Sequence, residues 1–184
     1  MDTSYLTSVK KQFEYYKSLG DKTFAQLTEK QFFWLPNTDD NSIAITIKHI
    51  AGNMLSRWTN FLTEDGEKEW RNRDDEFINS FTTKEEVITY WEMGWQCLFN
   101  ALNSITPKNF DSIVYIRNQG HTITEAINRQ LCHYSYHIGQ IVFLGKLLLG
   151  NEWESLSIAK NASKDYNTDK FSKEKSRTHF TDDL

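Results

Sequence analysis

The chain has 184 residues, 39% hydrophobic and 25% charged, which suits one domain with a real core and disfavours global disorder. Its net charge of −4 leaves no basic surplus to neutralise phosphates, so a dedicated nucleic-acid binder is disfavoured. Only 2 Pro and 8 Gly punctuate it, too few turn signals for a β-sandwich or barrel, and the composition points to helices.

The first helical pattern runs from about Ser4 to Leu27, with Leu6, Val9, Phe13, Tyr16, Phe24 and Leu27 at mostly three- and four-residue spacings. Residues 31–41 break it, and Leu35-Pro36 forces a non-helical link. Asp40 or Asn41 is expected to cap a second helix, from about Ser42 to Thr63, with an apolar stripe from Ile43 to Phe61. From Glu64 to Ser80 the chain is charged and irregular, a polar connector. Thr83 followed by Glu86 has capping-box spacing and opens a third helix to about Ser104. Ile113 to Ile116 read as a short extended or hairpin-like piece. Thr122 with Glu125 repeats the capping box, and the fourth helix runs to Leu149 and stops at Gly150.

Four amphipathic helices make an all-α four-helix bundle the economical fold, over residues 1–158. Residues 159–184 form a polar tail that lies on the surface or is partly disordered, docking in part through Phe171 or Phe180. The two cysteines, Cys97 and Cys132, are too few for a disulfide framework. The opening residues lack a secretory signal pattern. The longest apolar run, Ile141 to Leu149, is interrupted and far short of the ~20 residues that span a bilayer. The expectation is a cytoplasmic protein with neither membrane nor nucleic acid as partner.

The histidines carry the chemistry. His133 and His137 stand four residues apart in the fourth helix, which stacks both imidazoles on one face, a geometry for two ligands on one metal ion. At about 100° per residue, Gln130, Gln140, Ile141, Leu144 and Leu148 share that face, so the pair looks inward. His49, flanked on its helix by Gly52, Asn53, Ser56 and Asn60, is the candidate third ligand. Those small polar neighbours fit a pocket wall and fit a solvated flank equally well.

Three imidazoles would leave a divalent ion with open coordination positions, the layout of catalytic rather than structural zinc. Imidazole also suits nickel, iron and copper; zinc is favoured, then nickel. Gln130, Gln140 and Asn53 are candidates to orient the rings. His121 lies about 18 Å from His133 along a straight helix and reads as a loop histidine, and His179 as incidental. Cys132 points about 100° away from His133 and is expected to pack as a small hydrophobe.

His49 within Ile47-Lys48-His49-Ile50-Ala51-Gly52-Asn53-Met54, the His133-x-x-x-His137-x-x-Gln140-Ile141 core and the later Trp153-x-Ser155-Leu156-Ser157-Ile158 together resemble the DinB-like superfamily, which also contains the YfiT-like proteins. The resemblance covers roughly residues 5–160. It implies a four-helix bundle with a long crossover connection, a divalent metal on His49, His133 and His137, and a homodimer. Relatives include S-transferases and isomerases that use low-molecular-weight thiols such as bacillithiol or mycothiol; others have no demonstrated activity. The superfamily name comes from DNA-damage induction, a stress response, and does not imply DNA binding.

Three functions follow as expectations. The first is a metal-dependent enzyme, a thiol S-transferase acting on small electrophiles or a hydrolase, with Arg117 and Arg129 available to steer an anionic thiol. The second is a non-catalytic module that metal stabilises or that senses metal. The third is an interaction bundle without metal, resting on Trp34, Trp58, Trp70, Trp91, Trp95 and Trp153.

Overall fold

Four long helices carry the chain in the computed structural model, which describes residues 3–182. They are α1 (Thr3–Gln26), α3 (Ile43–Trp58), α4 (Lys84–Asn103) and α5 (Ile123–Leu149). A short α2 (Glu29–Phe32) follows α1, and α6 (Ser163–Phe171) lies in the tail. Strands β1 (Ile113–Ile116) and β2 (Gln119–Thr122) pair antiparallel as a hairpin, Ile113 opposite Thr122.

Side-chain contacts fix the helix directions. Tyr5 donates to Asn128 at 2.7 Å near the starts of α1 and α5, and Gln26 bonds Glu154 just past the end of α5, so the two helices are parallel. Lys10 meets Asn103 and Lys17 meets Glu92, so α4 runs antiparallel to α1. Between α3 and α5, one cavity joins Thr46 to Gln140 and another joins Arg57 to Gln130, an antiparallel pairing. It follows that α3 and α4 are parallel neighbours. Residues 59–83 must therefore travel back along the molecule, and they do so as a strap across the outside of α3.

The core between these helices is aromatic. Trp91 and Trp95 pack edge to face at 5.3 Å, and Phe13 meets Trp95 at 6.3 Å and Tyr134 at 6.0 Å, all four fully buried. Each such ring contributes roughly 1.5–3 kcal/mol by leaving water. Gly94 lets α4 approach α3 closely: a Cβ there would stand 2.8 Å from the Ala51 Cα.

Both capping boxes form. Thr83 accepts from the Glu86 amide and Thr122 from the Glu125 amide, each at 3.2 Å, satisfying donors that helix starts leave free. Gly150 ends α5 at a φ of 55°, a left-handed position that a side chain would strain.

Several boundaries differ from the sequence reading. Ser42, not Asp40 or Asn41, caps α3, its hydroxyl accepting from the Ile45 amide. That helix stops at Trp58, because Asn60 takes a positive φ of 50° and starts a turn. The break after α1 contains the helical turn α2, whose Phe32 is fully buried against Phe24. The tail holds α6, which buries no residue; Phe171 is 84% exposed, whereas Phe180 packs on Tyr15.

Candidate metal centre

His49 projects from the middle of α3, and His133 and His137 from one face of α5 one turn apart. One ring nitrogen from each of these three residues lies within 4.8 Å of the other two. His133 Nε2 is 3.4 Å from His49 Nε2 and 3.1 Å from His137 Nε2. The two helices thus bring together the three histidines singled out from the sequence, and the cluster is able to hold a metal ion. His49 is buried and the other two are half-buried.

The outer nitrogens decide what the inner ones offer. Glu76 Oε2 lies 2.9 Å from His49 Nδ1, and a carboxylate can only accept, so Nδ1 carries the hydrogen. The Nε2 of a neutral His49 is then a bare lone pair. Gln140 Oε1 lies 2.8 Å from His137 Nδ1 and fixes the same tautomer there. A hydrogen on His133 Nε2 can serve only one of its two neighbours. Nitrogens each about 2.0–2.1 Å from a tetrahedral ion stand about 3.3 Å apart; the two separations from His133, 3.4 and 3.1 Å, are close to that spacing, and the His49–His137 separation lies within 4.8 Å.

For His133 and His137 the electrostatics favour the neutral ring. Burial, then the neighbouring His137 and His49, pushes the His133 pKa down from 6.5 to about 3. Burial lowers that of His137 as well, against the opposing effect of the hydrogen bond it donates to Gln140. Neutral imidazole is the form that binds a metal. For Glu76, burial works to raise the carboxyl pKa, but the bonds from His49 and Arg71 outweigh it and hold the group below the usual range.

Glu76 is the residue the sequence reading missed. It sits in the strap, in a 3-10 turn over Asp74–Phe77, and is only 5% exposed. Arg71 grips it through two bonds, 2.7 Å to Oε1 and 2.9 Å to Oε2. Phe77, next along the turn, stacks on the His49 ring at 4.8 Å, and the Arg73 guanidinium lies 5.1 Å from the Phe77 centroid. Its counterpart on α3 is Gly52, one turn beyond His49, where a Cβ would come within 2.5 Å of Glu76 Oε1.

Of the three residues expected to orient the rings, only Gln140 does so. Asn53 instead accepts from the Tyr134 hydroxyl, and Gln130 is buried with its Oε1 unpartnered. His121 pairs with Arg129 at 3.3 Å, and His179 bonds Ser8 at 3.2 Å, both away from the cluster. Arg117 pairs with Glu67 at 3.4 Å. Cys132 is exposed rather than packed, because its position on α5 faces outward between Arg129 and Tyr136. Trp58, Trp91 and Trp95 are core residues, whereas Trp34 and Trp70 are exposed.

The fold and site define a mainly helical protein with a three-histidine cluster at the centre of its α3–α5 seam. A family model described as "Protein of unknown function (DUF1572)" matches residues 1–162, and the chain belongs to that family. No curated protein and no solved structure matches the chain. Among the described residues, no helix is long and apolar enough to cross a membrane.

Proposed function

We propose that the protein is a DinB-like four-helix bundle that holds a divalent ion, zinc before nickel, on His49, His133 and His137, and that it works as a metal-dependent S-transferase joining a low-molecular-weight thiol to small electrophiles. The observation that carries the reading is the convergence of three imidazole nitrogens within 4.8 Å, two of them with their outer hydrogens already committed. A bound divalent ion supplies a Lewis-acid position that favours the thiolate over the thiol near neutral pH.

This chain's residues do the rest. His49, His133 and His137 act as ligands and not as bases, since the Nδ1 hydrogens of His49 and His137 are held by Glu76 and Gln140. Tyr136, packed against His137 at 4.9 Å and 63% exposed, supplies an aromatic rim where a substrate would arrive. The proposed setting is the cytoplasm and the proposed assembly a homodimer.

The test is metal content in protein purified without an affinity tag, beside His49→Ala and His137→Ala. We expect about one equivalent of zinc or nickel per chain, lost in both variants, and then conjugation of a bacillithiol-like thiol to small electrophiles by the loaded form. Stoichiometry near zero that stays there after adding zinc or nickel would sink the proposal.

A second reading is a non-catalytic module, favoured by one observation: the ligands come from two helices, and His49 is tied into a buried ion-pair network, so an ion would lock α3 to α5. Melting with and without chelator separates the two. Unfolding on metal removal favours the structural role; a surviving fold with an exchangeable coordination position favours catalysis.

A further inference from the structure

The strap between α3 and α4 is built to present one carboxylate to one histidine. Lys48 donates to the carbonyls of Asp75 and Ile78, both at 2.8 Å, and so clamps both ends of the 3-10 turn onto α3 beside His49. Further up, the Ser56 hydroxyl donates to the Gly66 carbonyl at 2.8 Å and accepts from the Lys68 amide at 3.1 Å. Arg71, its side chain only 2% exposed, joins Glu76 to Glu67, and Glu67 is held in turn by Arg57. Between these anchors Glu76 meets the edge of His49 and Phe77 covers its face. Edge and face together fix both the tautomer and the rotation of the ring.

Gly52 completes the arrangement. It lies three residues after His49, on the same side of α3, and Glu76 Oε1 occupies the volume that a Cβ would need. Any other residue there displaces the carboxylate without touching a ligand.

We infer that Glu76 is a positioning residue for the histidine centre, that Gly52 is the vacancy that admits it, and that the strap thereby sets how tightly the centre binds metal. This rests on the metal-binding reading above. Outer partners of ligating histidines raise ligand basicity and fix orientation, and losing one typically weakens metal binding about 10- to 100-fold.

The experiment is a zinc competition titration against a chromophoric chelator, paired with melting of the metal-free protein and nitrogen-15 NMR of the His49 ring. Glu76→Gln, which preserves shape, is expected to weaken zinc binding about 10- to 100-fold. Gly52→Ala is expected to do the same in the wild-type background and to have no further effect in Glu76→Ala, where the obstructing carboxylate is gone. The NMR should report a hydrogen on His49 Nδ1 in the metal-free wild type and a mixed tautomer in Glu76→Ala. A strap that is merely structural would lower melting temperatures while leaving zinc affinity and the tautomer unchanged, and that result would overturn the inference. So would a Gly52→Ala penalty that persists undiminished in Glu76→Ala. A wild type that takes up no zinc retires the metal reading and the affinity claim together, while the tautomer measurement still tests the positioning.

Discussion

The hydroxyl of Tyr134 donates to Asn53 Oδ1 at 3.1 Å, across the interior from α5 to α3. The same oxygen accepts from Trp58 Nε1 at 3.1 Å, so one fully buried tyrosine satisfies two buried polar groups of the neighbouring helix. Burial raises its pKa, and the hydroxyl stays protonated throughout the physiological range. Tyr134→Phe keeps the ring in its aromatic cluster but leaves Trp58 N–H and Asn53 Oδ1 unpaired. The expected cost is about 1–3 kcal/mol, read as a lower melting temperature by circular dichroism. Zinc stoichiometry should not change, because this triad lies beside the histidine cluster and outside its hydrogen bonds. A variant that melts like the wild type would mean that the interior can re-pair those groups.

The pH dependence of the metal-free protein has a defined sign. Burial holds His133 at about 3 in the folded state, below its ordinary 6.5, so between those values the unfolded chain binds more protons than the native one. Stability therefore rises with pH across that window and falls as pH drops through it. His137 is shifted the same way. Glu76, its carboxyl depressed despite burial, adds stability above the ordinary carboxylate value that is lost on acidification, in the same direction. Denaturant melts from pH 7 to pH 4 should show a steady loss in the wild type. The slope should be shallower in His133→Ala; an equal slope would place the proton uptake elsewhere.

The parts of the fold set by local rules were legible in the sequence. Thr83 with Glu86 and Thr122 with Glu125 announced two helix starts because a capping box is a contact between residues three apart. The His133–His137 pair was legible for the same reason, since helix geometry alone puts the two rings on one face. His49 was open from its own neighbours and gained its place from the resemblance. Glu76 was not legible. It ends a run of charged residues, and only the path of the strap, which depends on α3 and α4 being parallel, turns this one carboxylate inward while Asp74, two residues earlier, stays 96% exposed. Asn53 misled for a related reason: its side of α3 faces α5, but its side-chain oxygen is taken by the Tyr134 hydroxyl and not by a histidine ring. Ser42 displaced the expected caps because its hydroxyl, and not the side-chain oxygen of Asp40 or Asn41, accepts from the Ile45 amide.

The tail should be dispensable for folding. After residue 162, where the family match ends, α6 buries no residue. Beyond it the chain returns to α1 through His179 on Ser8, Phe180 on Tyr15 and an ion pair between Asp182 and Lys11. These are surface contacts, and exposed ion pairs contribute about 0–1 kcal/mol. Removing residues 163–184 is expected to shift the melting temperature by a few degrees at most and to leave zinc stoichiometry unchanged. A truncated chain that fails to fold would show that α1 needs this cover.

The two thiols should differ sharply in reactivity and agree in being separate from the histidine centre. Cys132 is exposed on α5, next to His133 in sequence but turned outward. Cys97 is half-buried between α3 and α4, its sulfur 3.5 Å from Thr59 Oγ1 and 3.9 Å from the Met54 carbonyl. A disulfide reagent such as 5,5′-dithiobis(2-nitrobenzoate) should label one thiol rapidly and the other slowly, because attack requires access to the sulfur. Cys132→Ser should remove the fast phase alone. Zinc content of Cys132→Ser should equal that of the wild type, since serine keeps the size and the side chain points away from the three rings. Loss of zinc in that variant would make the sulfur a fourth ligand, which requires α5 to rotate from the orientation that seats Tyr134 in the core.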